Sequence, residues 1–141
     1  MNSKDPFAGS WKLNPDRSQF ALSHRPTSAT MCWERTGEGY VMTAEGITQD
    51  GKPVKERPRA FNLDEKEHPI QGEMDLVEIA HHPDANTIHV RAKKVDQVVG
   101  EGSYIVSACG GSLIAAVSGT DAQQRRFFTV TIWDRQRNKE A

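Results

Sequence analysis

Arg57 and Arg59 carry the sharpest chemistry in the chain. On a strand, residues two apart share a face, and Phe61 continues that face. A guanidinium presents a planar fork of donors that matches the two oxygens of a carboxylate. If the face looks inward, each charge needs an acidic side chain or an acidic ligand head, because an unpaired buried charge is costly. The competing reading is a solvated Lys-Glu-Arg-Pro-Arg run over 55–59, in keeping with the rarity of buried charge. Pro58 implies an edge, a bulge or a bend at this point, which can move the register by one.

The histidines come next. His81, His82 and His89 gather on one expected hairpin, with Glu78 close by. An imidazole titrates near neutral pH, so His81, at the end of the apolar face, is the candidate acid or base. A metal needs three or four converging ligands. His82 and His89 lie diagonally on the expected outward face and do not supply them, so no metal is expected. His24 and His68 sit near prolines with no evident partner. The chain has no G-x-S-x-G elbow, P-loop, dinucleotide fingerprint or H-E-x-x-H. Ser103, Ser107, Ser112 and Ser118 have no visible His–Asp partner. No cofactor is implied. Cys32 and Cys109 follow no zinc or redox spacing. Two reduced thiols are expected, since a bridge needs an oxidising compartment and a close backbone approach.

The elements that must position these residues are strands. Alternation of apolar and polar residues dominates, and turn signals recur about every 8–12 residues, as in an all-β barrel or sandwich. The expected strands are Gly9–Leu13, Thr27–Arg35, Gly39–Thr48, Pro53–Leu63, Leu76–His82, Thr87–Lys93, Val98–Ala108, Ser112–Gly119 and Arg126–Arg135. A short helical turn is expected over Asn14–Phe20. Asp50-Gly51 suits a two-residue hairpin, setting Ile47 against Val54, Met42 against Arg59 and Tyr40 against Phe61. Gly110-Gly111 pairs Ala108 with Leu113 and Tyr104 with Val117. The loop at Pro83–Asn86 sets Ile79 against Val90 and His81 against Ile88. The apolar sides of all three hairpins can then face one interior. The candidate lining is Trp33, Tyr40, Met42, Arg57, Arg59, Phe61, His81, Tyr104 and Phe128. The same aromatic residues also read simply as core.

Length and charge bound the partners. The 141 residues make one expected domain, with its core over 5–136 and a polar tail over 137–141. Eighteen basic against nineteen acidic residues give a net charge of −1, so no basic field argues for nucleic acid. No stretch approaches the roughly 18 apolar residues of a membrane span. The first residues hold no apolar leader core. A cytoplasmic protein, or one whose leader has been removed, is expected.

Two terminal segments resemble the calycin signature. Gly9-Ser10-Trp11 gives a G-x-W on the first strand, and Thr131-Ile132-Trp133-Asp134-Arg135 closes the last. The resemblance implies that Trp11 plugs one end of a barrel while Arg135 crosses its ring, by cation–π attraction. Several stretches extend the resemblance to a family of small bacterial lipocalin-like proteins: Asp5 through Phe20, Asp50-Gly51-Lys52-Pro53-Val54, His68 through Gly72, and Gly119-Thr120-Asp121-Ala122. Members are often exported. The family implies a fold and supplies no catalytic residues.

The expectation is therefore an all-β, antiparallel up-and-down barrel, calycin-like, of eight to ten strands. Its expected work is to bind a small hydrophobic or amphipathic molecule, including one that bears a carboxylate. An isomerase, cyclase or hydrolase using the same cavity is the alternative. A filled barrel acting through its surface or as a homodimer is the third.

Overall fold

Alternation does what it predicts. The computed structural model describes residues 6–19, 28–37, 39–48, 50–55, 58–70, 75–95, 97–120 and 124–136. Its strands are β1 (Gly9–Gln19), β2 (Ser28–Thr36), β3 (Gly39–Ile47), β4 (Pro53–Lys55), β5 (Arg59–Asn62), β6 (His68–Pro69), β7 (Leu76–Asp84), β8 (Thr87–Lys94), β9 (Gln97–Val106), β10 (Ser112–Thr120) and β11 (Arg126–Arg135). They form one antiparallel sheet in the order β4-β3-β2-β1-β11-β10-β9-β8-β7-β6, with β5 also on β3. β4 and β5 are the two halves of the expected Pro53–Leu63 strand, broken at Pro58. That leaves ten positions around the sheet.

The first and last strands pair, setting Trp11 opposite Arg135. The other two edges of the sheet, β5 and β6–β7, are joined by the short connection 63–67. No ladder links β5 to β7 among the described residues. Across this seam the Glu65 N–H donates to the Ala80 carbonyl at 3.1 Å.

The hairpin registers needed correcting. At the first turn the Thr48 N–H donates to the Lys52 carbonyl, the Lys52 N–H donates to the Thr48 hydroxyl, and Gly51 takes φ +84°. The loop is one residue longer than expected, so Ile47 faces Pro53, not Val54. The break at Pro58 restores the register, and Met42–Arg59 and Tyr40–Phe61 pair as expected. At Gly110-Gly111 the loop is two residues longer: Leu113 pairs with Val106 and Ala115 with Tyr104. A two-residue slip keeps the face, so only Ala108 leaves the inner side.

The third correction has more consequence. Ala80 faces Val90 and His81 faces His89, one residue away from the expected pairing. A slip of one exchanges the two faces. On β7, Glu78 and Ala80 turn inward to join Ile88 and Val90, all four buried, while His81 turns outward to pair with His89. The expected helical turn over Asn14–Phe20 is not formed either. Residues 14–19 continue β1 through an irregularity in its pairing with β11. Asn14 Oδ1 accepts the Arg17 N–H, and the Ser18 hydroxyl donates to the Asn14 carbonyl while accepting the Ile132 N–H. These side chains satisfy the backbone where the ladder lapses, which removes the need for a helix. Phe20 lies outside the described residues.

Candidate functional site

One end of the barrel is stoppered. Trp11 is buried and its indole N–H donates to the Phe7 carbonyl at 3.0 Å. The Arg135 guanidinium lies over the ring, Cζ 4.2 Å from its centre. It also donates to the carbonyls of Gly110 at 2.7 Å, Ala8 at 2.9 Å and Pro6 at 2.6 Å. Gly9 has φ +128°, and a side chain there would begin 2.9 Å from Arg135 Nη1. This is the physical content of the G-x-W spacing: the glycine makes room for the arginine that holds the indole.

Above the stopper sits an aromatic cluster. Trp33 stacks on Phe61 with centroids 5.5 Å apart, and meets Phe7 at 5.3 Å, Tyr40 at 5.7 Å and Tyr104 at 5.3 Å. Met42 joins them in the buried core. The expected lining residues Trp33, Tyr40, Met42, Phe61 and Tyr104 are thus brought together, packed on one another. The Trp33 Nε1–H, fully buried, has no hydrogen-bond partner among the described residues.

Arg59 occupies the same inner face as Phe61, its Cζ 5.0 Å from the ring centre. It bonds the Glu78 carboxylate across the seam. The acidic partner that an inward arginine needs is therefore supplied by the protein. Glu78 is the one buried charged residue among those described. Burial pushes its carboxyl above the usual glutamate range, against the opposing pull of Arg59 and His68. Arg57 falls outside the described residues. His81 stands outside, its ring 5.6 Å from that of His89. Phe128 faces outward opposite Ser118 and is 61% exposed.

A pocket of about 510 Å³ opens where β9, β10 and β11 approach their mouth ends. Gly100, Gly119 and Phe127 of the inner face and Glu101, Ser118, Arg126 and Phe128 of the outer face line it, so it wraps the end of the sheet. One inner row there is poor in side chains. Glu78, Ala92, Gly100, Gly119 and Phe127 stand opposite one another on five adjacent strands. Its three middle members have no side chain beyond a methyl. The Phe127 ring lies over Gly119, where an added Cβ would sit 3.2 Å from Cζ. Ala92, Gly100 and Gly119 thus form a side-chain-poor trough between Glu78 and Phe127, one strand spacing, roughly 4.8 Å, per residue.

Sequence reasoning missed Glu78, Ala92, Gly119 and Phe127. Gly100-Glu101-Gly102 was the available signal, and it indicates a bend or bulge. The β8–β9 register does shift beside it, between Ala92 and Lys93. Among the described residues no three His, Cys, Asp or Glu converge to hold a metal. Cys32 and Cys109 are free and exposed. Hydrogen bonds from Ser107 and Gly111 hold the Cys109 thiol below its ordinary range.

A one-ended, up-and-down antiparallel barrel with an indole stopper is a calycin-like fold. Comparison with solved structures agrees. The chain resembles a zebrafish ileal bile acid-binding protein solved with cholic acid, at TM-score 0.60 and 12% identity, over 93% of this chain and 99% of that one. It also resembles As-p18, an extracellular fatty acid binding protein, at TM-score 0.55 and 18% identity, over 94% and 97%. No family model matches the sequence, and no curated protein does.

Proposed function

We propose that the barrel binds a small hydrophobic or amphipathic molecule, entering at the unstoppered end. The observation that carries this is the inner row Ala92, Gly100 and Gly119, which puts no side chain beyond a methyl on three adjacent strands of a barrel stoppered at its other end. Bile acid and fatty acid binding by the two structural neighbours supports it. The finer kinship, with small bacterial lipocalin-like proteins, rests on Gly9-Ser10-Trp11 and Trp133-Asp134-Arg135. The two free thiols favour a reducing compartment.

The test is fluorescence titration with the methyl ester of dansyl-undecanoic acid. Gly100→Leu is the blocking variant, since a Cβ at Gly100 would meet nothing closer than the Ser118 carbonyl at 3.4 Å and the side chain would then fill the trough. Binding by the native chain and at least a tenfold loss in the variant are expected. Equal binding by both removes the site.

A second reading, a surface interaction module, draws on the packed aromatic cluster and on exposed Ile47, Val54, Val95, Val98 and Phe128 toward the mouth. Absence of any ester binding would favour it.

A further inference from the structure

The register of β7 on β8 assembles a pair of imidazoles on the outside of the barrel. His81 and His89 stand directly opposite one another, with ring centres 5.6 Å apart and planes at 66°. Both residues are half-buried. His89 is fixed from its other side, where Nδ1 lies 3.1 Å from the hydroxyl of Ser103, its register neighbour on β9. Its Nε2 lies 3.9 Å from Glu101 Oε1.

We propose that His81 and His89 form a two-imidazole site for a late first-row divalent ion such as nickel(II) or copper(II). The site lies on the outer face and stands independently of the ligand-binding reading above.

Imidazole suits these ions, and a metal–nitrogen bond of this kind is about 2.0–2.1 Å long. Each ring centre then lies about 3.2 Å from the ion, so two rings at a tetrahedral angle stand roughly 5 Å apart. The pair is within about half an ångström of that separation, a difference that small side-chain rotations close. In the tautomer that donates Nδ1–H to Ser103, His89 Nε2 keeps a free lone pair. Such a bond to the second ring nitrogen is what orients metal-binding histidines. Glu101 places negative charge beside the ion and offers an acceptor to a bound water. Arg91, opposite Glu101 on β8, is the opposing charge, and it is exposed to screening by solvent. Among the described residues no three ligands converge, so water fills the remaining positions. That composition suits tetragonal nitrogen-and-oxygen coordination, as of nickel(II) or copper(II), and not a closed four-ligand zinc centre.

The experiment is isothermal titration calorimetry of the chain, carrying no added histidines, with nickel chloride, whose ion does not oxidise the exposed thiols. One ion per chain should bind at about pH 7.5, the affinity falling as pH drops through the ordinary imidazole range near about 6.5. His81→Ala and His89→Ala should each lose at least about tenfold, and His82→Ala, its exposed neighbour, less than about twofold. Paramagnetic broadening by the same ion should begin at the amides of His81, His89 and Ser103, which locates the site without any variant. Absence of binding by the native chain overturns the proposal. So does native affinity in both His81→Ala and His89→Ala, an equal loss in His82→Ala, or broadening that begins at His68 or at either cysteine.

Discussion

Arg135 spans Trp11 like a bar across a drain, its Cζ 4.2 Å from the indole centre and its N–H groups on three carbonyls. Those carbonyls belong to Pro6, Ala8 and Gly110, so one side chain ties the start of β1 to the β9–β10 turn and to β11. Removing it strips partners from three backbone acceptors as well as a cation from a ring face. Arg135→Ala should lose about 2–4 kcal/mol in denaturant unfolding, taking charged hydrogen bonds at about 1.5–3 kcal/mol each with incomplete additivity. Arg135→Lys, which keeps the charge but loses the fork, should recover less than half of that. A loss below about 0.5 kcal/mol in Arg135→Ala would show that the stopper holds without its bar.

Val95 is a strained residue in plain view. It has φ +52° at the β8–β9 turn and is 74% exposed. A β-branched side chain is poorly suited to the left-handed region, and the mismatch costs on the order of 1–3 kcal/mol. Val95→Gly should raise stability by about 1 kcal/mol, part of the relieved strain being offset by the greater freedom of glycine in the unfolded chain. A lowered melting temperature would refute this.

The pH dependence of stability has two opposed contributions. Glu78 holds its proton more tightly in the folded chain than in the unfolded one. Between the ordinary glutamate range and its raised value the native state binds more protons, so stability declines as pH rises through that window. Asp64 behaves oppositely. The hydrogen bond from His68 lowers its carboxyl, so its contribution is present above the ordinary aspartate range and is lost as pH falls. Urea unfolding from about pH 4 to 8 should show the decline in the native chain and not in Glu78→Gln. Parallel curves for the two would remove Glu78 as its source.

The strands and the stopper were legible because their signals are local. G-x-W, the terminal Trp-Asp-Arg and the alternation each name a face or a contact within a few residues. What stayed hidden was register. Asp50-Gly51 and Gly110-Gly111 mark turns correctly but do not fix how many residues each turn consumes. The slip of one at Pro83–Asn86 carried Glu78 inside and His81 outside, reversing the roles their types suggested. The trough was hidden for a different reason. Ala92, Gly100, Gly119 and Phe127 become neighbours only through three successive ladders, and nothing in their spacing announces that. The sequence left Arg59 either solvated or inward and in need of an acid; it is inward, and the acid lies across the seam in Glu78.

The seam has a consequence for how the molecule assembles. Among the described residues, β1 with β11 is the one ladder joining strands remote in sequence. The ends of those strands already touch, since Gln136 N–H donates to the Ser10 carbonyl at 2.9 Å. Across the seam the covalent link is the short stretch 63–67. In cyclic terms the barrel is a plain meander wrapped once, and its slow step is the search of one terminus for the other, because distant pairings delay folding. A chain rejoined at the stopper and opened at 63–67 would keep every ladder and replace that search with a hairpin.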